Sequence, residues 1–423
     1  MFTRIVRTCI FLAVTVVAVA CGAETVEGNE VPGELDVRTL DVGKYPTEPI
    51  DTVYEYTPSM LSSQLLAANR LAGNIALGTE IDPDLRYGVG NSLTSPSTAT
   101  IYLSKATRAV LENSKMLYGW ASGSSSESEF SINSNRAADD SLTEVQRKRL
   151  NPRFIGITVL QFADEATAER TAKEMSDADF AVAASENKAL TLPNFPQSNS
   201  HRRPGIPTLG STLAHGRYVI YIHIGVRGDE EAQLITLAEK TYATQIALLE
   251  KLPALSPVDI LRLPQDPDGM LRRALNPKQF DGPTDGEYFT LDKNGYYQAN
   301  RAQQLNDALY SEVGADRFSR SWGTELTRTR DAESAKTLRD KIINLLVPSS
   351  EAADSPQQLP DVTCAKNTDT RLNDKFSDTG ERKRFLCAVQ YRNYVAVVES
   401  DQISDAHQRA AAQYALLANS QAQ

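Results

Sequence analysis

The sequence predicts an α+β protein made of two tandem, degenerate β-α-loop-β-α units, with helices packed on one face of an open sheet. Three observations predict it. A strand that runs into an Asp-led helix start occurs twice, a second strand rich in Val, Ile and Tyr follows each, and each half closes on an amphipathic helix. Chain length agrees, since 423 residues suffice for two or three globular units.

In order, Thr57-Pro58-Ser59 opens a helix to about Leu71, with Pro58 near the first turn where its missing N–H is harmless. Residues 104–119 read as a further helix, 122–140 as a Ser-rich loop, and a helix from about Ser141 ends before Pro152. Phe154–Phe162 alternates as a strand and meets Asp164-Glu165, a capped helix start. Phe318–Thr329 and Asp331-Ala332 repeat the pattern. A long polar loop follows in each half. The second strands are Arg217–Ile222 and Asn393–Val398. Ile235, Ala238, Tyr242, Ile246 and Leu249 stripe the first closing helix, and Ile403, Ala410, Tyr414 and Leu417 stripe the last. The division is a signal peptide at 1–20, a tether at 21–50, a first domain at 51–254, a connector at 255–316 and a second domain at 317–423.

The N-terminus carries the address. Arg4 and Arg7 precede an apolar run from Cys9 to Ala20, too short for a comfortable span and followed at once by Cys21. This resembles a bacterial lipobox, with Ala18 where a larger aliphatic residue is usual. It implies a palmitate-type acyl anchor on Cys21 and a place on the extracytoplasmic face of the cell membrane. Ordinary secretion is the plainer alternative. The net charge of −10 grows more acidic once both arginines are removed, so the acyl chains, not charge, attach the chain to the bilayer. The same acidity argues against nucleic acid as a partner. Of four Cys, Cys364 and Cys387 then remain, and an even pair in an exported chain reads as a disulfide.

The phrases Val31-Pro32-Gly33-Glu34-Leu35-Asp36-Val37-Arg38-Thr39-Leu40-Asp41-Val42-Gly43, Tyr45-Pro46 and Asp405-Ala406-His407-Gln408-Arg409-Ala410-Ala411-Ala412-Gln413-Tyr414 carry a resemblance. Across the mature chain the sequence resembles the DUF7373 lipoproteins of mycobacteria and related actinobacteria. The resemblance implies an envelope location and two related α/β domains, and supplies no catalytic residue. The segment from Cys364 is also similar to extracellular sensor domains of mycobacterial Ser/Thr kinases, though no kinase domain is present. The paired phrases Leu35-Asp36-Val37 and Leu40-Asp41-Val42 are candidates for short strand-like segments that dock onto the body.

Chemistry-bearing motifs are sparse. His201, His215, His223 and His407 form neither HExxH nor an HxH pair, and no Cys/His zinc spacing exists. His223 reads as a sheet residue and His407 as a solvated helix residue. No Gly-x-Ser-x-Gly elbow or phosphate loop occurs. Asp266-Pro267-Asp268-Gly269 starts like a calcium loop but lacks the remaining ligands, and reads as a turn. Pairs such as Glu230-Glu231 are expected of an acidic chain. No cofactor, metal or catalytic residue is assigned. The remaining candidates for ligand contact are Arg202 and Arg203 in the basic cluster of the first long loop, and Tyr288, Tyr296 and Tyr297, which with Tyr310 mark the connector. A solvated loop and simple packing of the rings are the structural alternatives. The expected role is non-catalytic binding of an envelope ligand or protein partner, in the groove between the units and along the connector. A secreted hydrolase of envelope polymers and a lipid carrier are the rivals.

Overall fold

Two seven-stranded antiparallel sheets account for the strands of the computed structural model, which describes residues 35–49, 59–127, 153–278, 288–299, 307–368 and 383–420. Cys21, the signal segment and the helix expected from Ser141 lie outside the described residues. The chain divides between Arg38 and Thr39, and both sheets belong to the unit from Thr39 onward. Ahead of the division, Asp36 and Arg38 form an exposed ion pair at 2.7 Å.

The first half comprises α1 (Met60–Ala72), β1 (Tyr87–Leu93), β2 (Tyr118–Ser125), β3 (Phe154–Gln161) and α2 (Glu165–Ala181). It continues with β4 (Lys188–Leu190), β5 (Asn199–Arg202), β6 (Thr208–His215), β7 (Tyr218–Gly225) and α3 (Glu231–Leu249). Its strand order is β1-β2-β3-β7-β6-β5-β4. The second half comprises β8 (Tyr288–Asp292), α4 (Lys293–Ala299), β9 (Arg317–Ser321), β10 (Thr324–Arg328) and α5 (Ala332–Leu346). After them come β11 (Ser350–Ala353), β12 (Val362–Asn367), β13 (Phe385–Tyr391), β14 (Tyr394–Ser400) and α6 (Ile403–Asn419). Read from β8, its order is β8-β9-β10-β14-β13-β12-β11, the same path as the first sheet.

The α+β expectation therefore holds, and the repeat is deeper than the sequence pattern indicated. Each long polar loop is largely a meander, β4–β6 in one half and β11–β13 in the other. The span 318–329 is a hairpin, turned at Trp322 (φ 45°) and Gly323 (φ 83°), the pair of positive φ values a tight antiparallel turn requires. The helix expected over 104–119 ends at Asn113, and after Lys115 (φ 52°) the chain enters β2, which also takes up Ser122–Ser125 of the expected loop. The stretch 288–312, read as connector, supplies β8 and α4 to the second half.

Helices cover both faces of each sheet, where one face was expected. Alternation along β7 explains this for the first. Ile220, Ile222 and Ile224 face α1 and α3, whereas Val219 and Tyr221 face Ala168, Ala172 and Met175 of α2. In the second sheet, Val395 and Val397 pack on Leu338 and Ile342 of α5, and α6 lies against the opposite face of β13 and β14. Asp164 and Asp331 cap α2 and α5 by accepting from Thr167 N and Ser334 N at 2.7 and 2.8 Å. Cys364 and Cys387 stand opposite one another in β12 and β13, Cα atoms 4.1 Å apart, and are bonded as expected. Closing a loop of this length stabilises by about 3 kcal/mol in the chain-entropy model.

A buried glutamine fixes the extent of each repeat. Gln245 of α3 accepts from Ala76 N at 3.0 Å and donates to Asn74 O at 2.8 Å. Gln413 of α6 accepts from Leu275 N at 2.7 Å and donates to Arg273 O at 2.8 Å. Residues 73–76 and 272–275 are thus equivalent segments, each pinned to the closing helix of its own half. The turn at Asp266-Pro267-Asp268-Gly269, formed as expected with Gly269 N donating to Asp266 O, opens the second repeat.

Segment 39–49, expected within the tether, packs on α6. The Tyr45 hydroxyl, 5% exposed as a residue, donates to Asp405 at 2.6 Å, and Arg409 donates to both at 3.1 and 2.8 Å. Gln408 donates to Asp41, and Asn419 donates to Thr47 O. The docking anticipated for Leu40-Asp41-Val42 is present, without strand; a single 3-10 turn at Val37–Thr39 precedes it. The two phrases that carried the resemblance touch each other here.

Candidate functional site

Arg202 and Arg203 are not a free basic patch. Arg202 ends β5 rather than lying in a loop. Its guanidinium, 7% exposed, is held by Asp229 and by Glu231, the latter at 3.2 Å. Arg203 pairs with Glu186 at 3.2 Å. Tyr288 begins β8 opposite Ser321. Tyr296 stacks on Phe318 with ring centroids 4.1 Å apart, and Tyr297 is buried with its hydroxyl donating to Asp307 at 2.9 Å. These two rings belong to the second core. The junction between the halves is hydrogen-bonded: Asn294 donates to Gly73 O and Ile75 O, Gln298 donates to Ile75 O, and Ser122 donates to Gln298.

What the structure does bring together is a polar cluster on the α2 face of the first sheet. One cross-strand row runs Gly123, Gly156, His223, Gly210, His201, Ala189 through β2, β3, β7, β6, β5 and β4. Neighbours in such a row share a face. Both histidines thus flank Gly210, and glycines leave the floor low. Asp179, in the last turn of α2, hangs over it. His201 Nε2 lies 3.7 Å from the Asp179 carboxylate. A Cβ on residue 210 would sit 3.7 Å from each of those two atoms, so they converge above the glycine. Thr212 holds α2 in place by donating to Ala172 O at 2.9 Å. Phe180 meets the His201 ring edge-on at 5.6 Å and Phe154 meets His223 at 5.1 Å.

Burial lowers the pKa of His201, with Asp179 opposing. Burial also lowers that of His223, with Asp179 opposing and His201 adding to the shift. Both imidazoles are therefore neutral at pH 7. Tyr221, on the same face, has its pKa raised by burial and by Asp179, and stays a phenol. His201 Nδ1 is buried without a hydrogen-bond partner. Among the described residues no three His, Cys, Asp or Glu side chains meet as a ready metal-ligand cluster.

The second half supplies an internal control. Counting from the capping aspartates, Leu346 takes the place of Asp179. By strand register, Ala365, Leu386 and Glu399 take those of His201, Gly210 and His223. Leu386 and Ala365 are buried core residues beneath α5, and Leu346 packs against them. The same corner carries two leucines, an alanine and a buried glutamate in one repeat, and an aspartate, two histidines and a glycine in the other. Sequence reading gave His201 no role and left Asp179 unremarked. The available signal was a glycine inside each of two strands, Gly156 and Gly210, which in a strand interior marks close approach of another group.

Two family models together match most of the chain. The one described as "Domain of unknown function (DUF7373) N-terminal" matches residues 54–265, and its C-terminal counterpart matches residues 270–420. Their boundary falls where the second repeat begins. No curated protein matches the sequence. Among solved structures, the chain is similar to the extracellular domain of PknH from Mycobacterium tuberculosis, at 10% identity and a TM-score of 0.29, over 44% of this chain and 97% of that one. With both models matching in order along its length, the chain belongs to the DUF7373 family.

Proposed function

We propose that this protein is an extracytoplasmic binding protein, tethered to the membrane through acyl chains on Cys21, that seats an envelope ligand at the cluster formed by Asp179, His201, Gly210 and His223. The observation that carries this reading is the contrast between the repeats: a fold that sets leucines at two positions of this corner in one copy sets an aspartate and a glycine there, beside two histidines, in the other. The location draws on the signal-like N-terminus and on the Cys364–Cys387 bond, which persists in oxidising compartments. Among the described residues no helix is long and apolar enough to cross a membrane, which is consistent with attachment by lipid. Binding is favoured over hydrolysis because His201 Nε2 faces the Asp179 carboxylate rather than a hydroxyl or thiol that it could activate as a nucleophile.

Two measurements test this. Metabolic labelling with palmitate is expected to mark the wild-type protein and leave Cys21→Ala unmarked; an unlabelled wild type contradicts the anchor. For the cluster, the full-length protein in detergent is offered radiolabelled lipid, glycan and protein fractions of the envelope. Gly210→Leu, which installs the residue of the second repeat, is expected to keep its melting temperature within a few degrees and to lose at least tenfold in retained ligand. Equal retention by the variant removes the cluster from the account.

A further inference from the structure

The segment that packs on α6 can leave it without breaking the fold. Of residues 39–49, only Leu40 and Tyr45 are buried, at 8% and 5% exposure. The segment adds no strand to either sheet, so lifting it breaks no ladder. Gln408 and Asn419 reach across from α6 to Asp41 and Thr47 O, in hydrogen bonds that water replaces once the segment lifts. Departure strands no charge on the body. Asp405 keeps its bonds from Ser400 at 2.6 Å and Arg409 at 2.8 Å, and Arg409 keeps Glu399 O at 3.0 Å. The docked and lifted states are both satisfied, as a two-state element requires.

Its place in the chain gives the two states different consequences. Seventeen residues, 22–38, separate Cys21 from the segment, and thirty-eight, 22–59, separate it from α1. At about 3.5 Å per residue, the chain ahead of the body reaches at most about 60 Å with the segment docked and about 130 Å with it lifted. We propose that residues 39–49 are a releasable strap that sets how far the body stands from the membrane, short at rest and doubled in reach when a bound ligand draws the body away. This rests on the acyl anchor of the proposed function and adds regulation to it. The strap is laid for peeling. It runs along α6 in the helix's own direction, from Asp41 on Gln408 and Tyr45 on Asp405 to Thr47 on Asn419. A pull from the Cys21 side therefore loads these contacts one after another, at less force than breaking all of them together. Gly43 marks how closely the strap lies: its φ is 56°, and a Cβ there would sit 2.5 Å from the Gln408 side chain.

The test holds the full-length protein by its own acyl chains in a supported bilayer of phosphatidylethanolamine and phosphatidylglycerol. An optical trap draws it away through a biotin on Lys240→Cys, an exposed position of α3. The protein is expected to lengthen in one step of up to about 70 Å, at lower force than unfolding of the body. Leu40→Ala/Tyr45→Ala and Gly43→Val are each expected to be long from the outset, with the step gone and far-UV circular dichroism unchanged. Lengthening that comes only with unfolding of the body, or the same step in both variants, overturns the strap and leaves the anchor standing. A protein that does not hold in the bilayer overturns the anchor, and the strap's role with it.

Discussion

At the scale of single residues, Gln245 and Gln413 make the strongest structural demand. Each is fully buried and satisfies one backbone N–H and one backbone C=O of a neighbouring segment. Truncation strands both groups away from water, at about 1–3 kcal/mol for each unsatisfied group. Gln245→Ala and Gln413→Ala are each expected to lower unfolding free energy by about 2–4 kcal/mol in urea titrations; losses below about 1 kcal/mol would contradict the clamp. In the sequence neither Gln245 nor Gln413 signals this role. A glutamine in a helix reads as surface until the segment it holds, roughly 140–170 positions away, is known. The same limit hid the cluster. His201, Asp179 and His223 come from three elements, and only strand register shows that both histidines flank one glycine.

At the scale of elements, local signals served best where one segment decides its own structure. The caps at Asp164 and Asp331, the apolar alternation of β3 and β7 and the stripes of α3 and α6 all depend on nearby residues. The meanders β4–β6 and β11–β13 escaped because their short, polar strands are stabilised by pairing with neighbours already in the sheet, and their own composition reads as loop. The packed segment 39–49 has an acid-sensitive contact. Burial alone would raise the Asp405 pKa, but hydrogen bonds from Ser400 and Tyr45 and the Arg409 guanidinium outweigh it and hold the carboxyl below its usual value. A depressed carboxylate stabilises above the unfolded pKa of about 3.9, and that contribution disappears as pH falls through the lowered value. Hydrogen exchange of residues 40–48, corrected for intrinsic rates, is therefore expected to accelerate below about pH 4, ahead of α6 itself. At neutral pH, Asp405→Asn is expected to admit trypsin after Lys44. Unchanged exchange and an intact Lys44 bond would show that other contacts hold the segment.

At the scale of the whole molecule, one topology appears twice with different contents. Both halves route seven strands in the same order, place helices on both faces and pin their opening segment with a glutamine. They part at the corner beneath the end of the first crossover helix. There the second half closes over Leu386, and the first leaves Gly210 between two neutral histidines and a carboxylate. The disulfide sits in the copy that closes over Leu386. The most direct measurement follows imidazole signals by NMR in protein labelled only at its four histidines, as envelope lipid and glycan fractions are added. The account predicts that His201 and His223 shift together while His215 and His407 do not. Shifts confined to His215 or His407, or none at all, would contradict it.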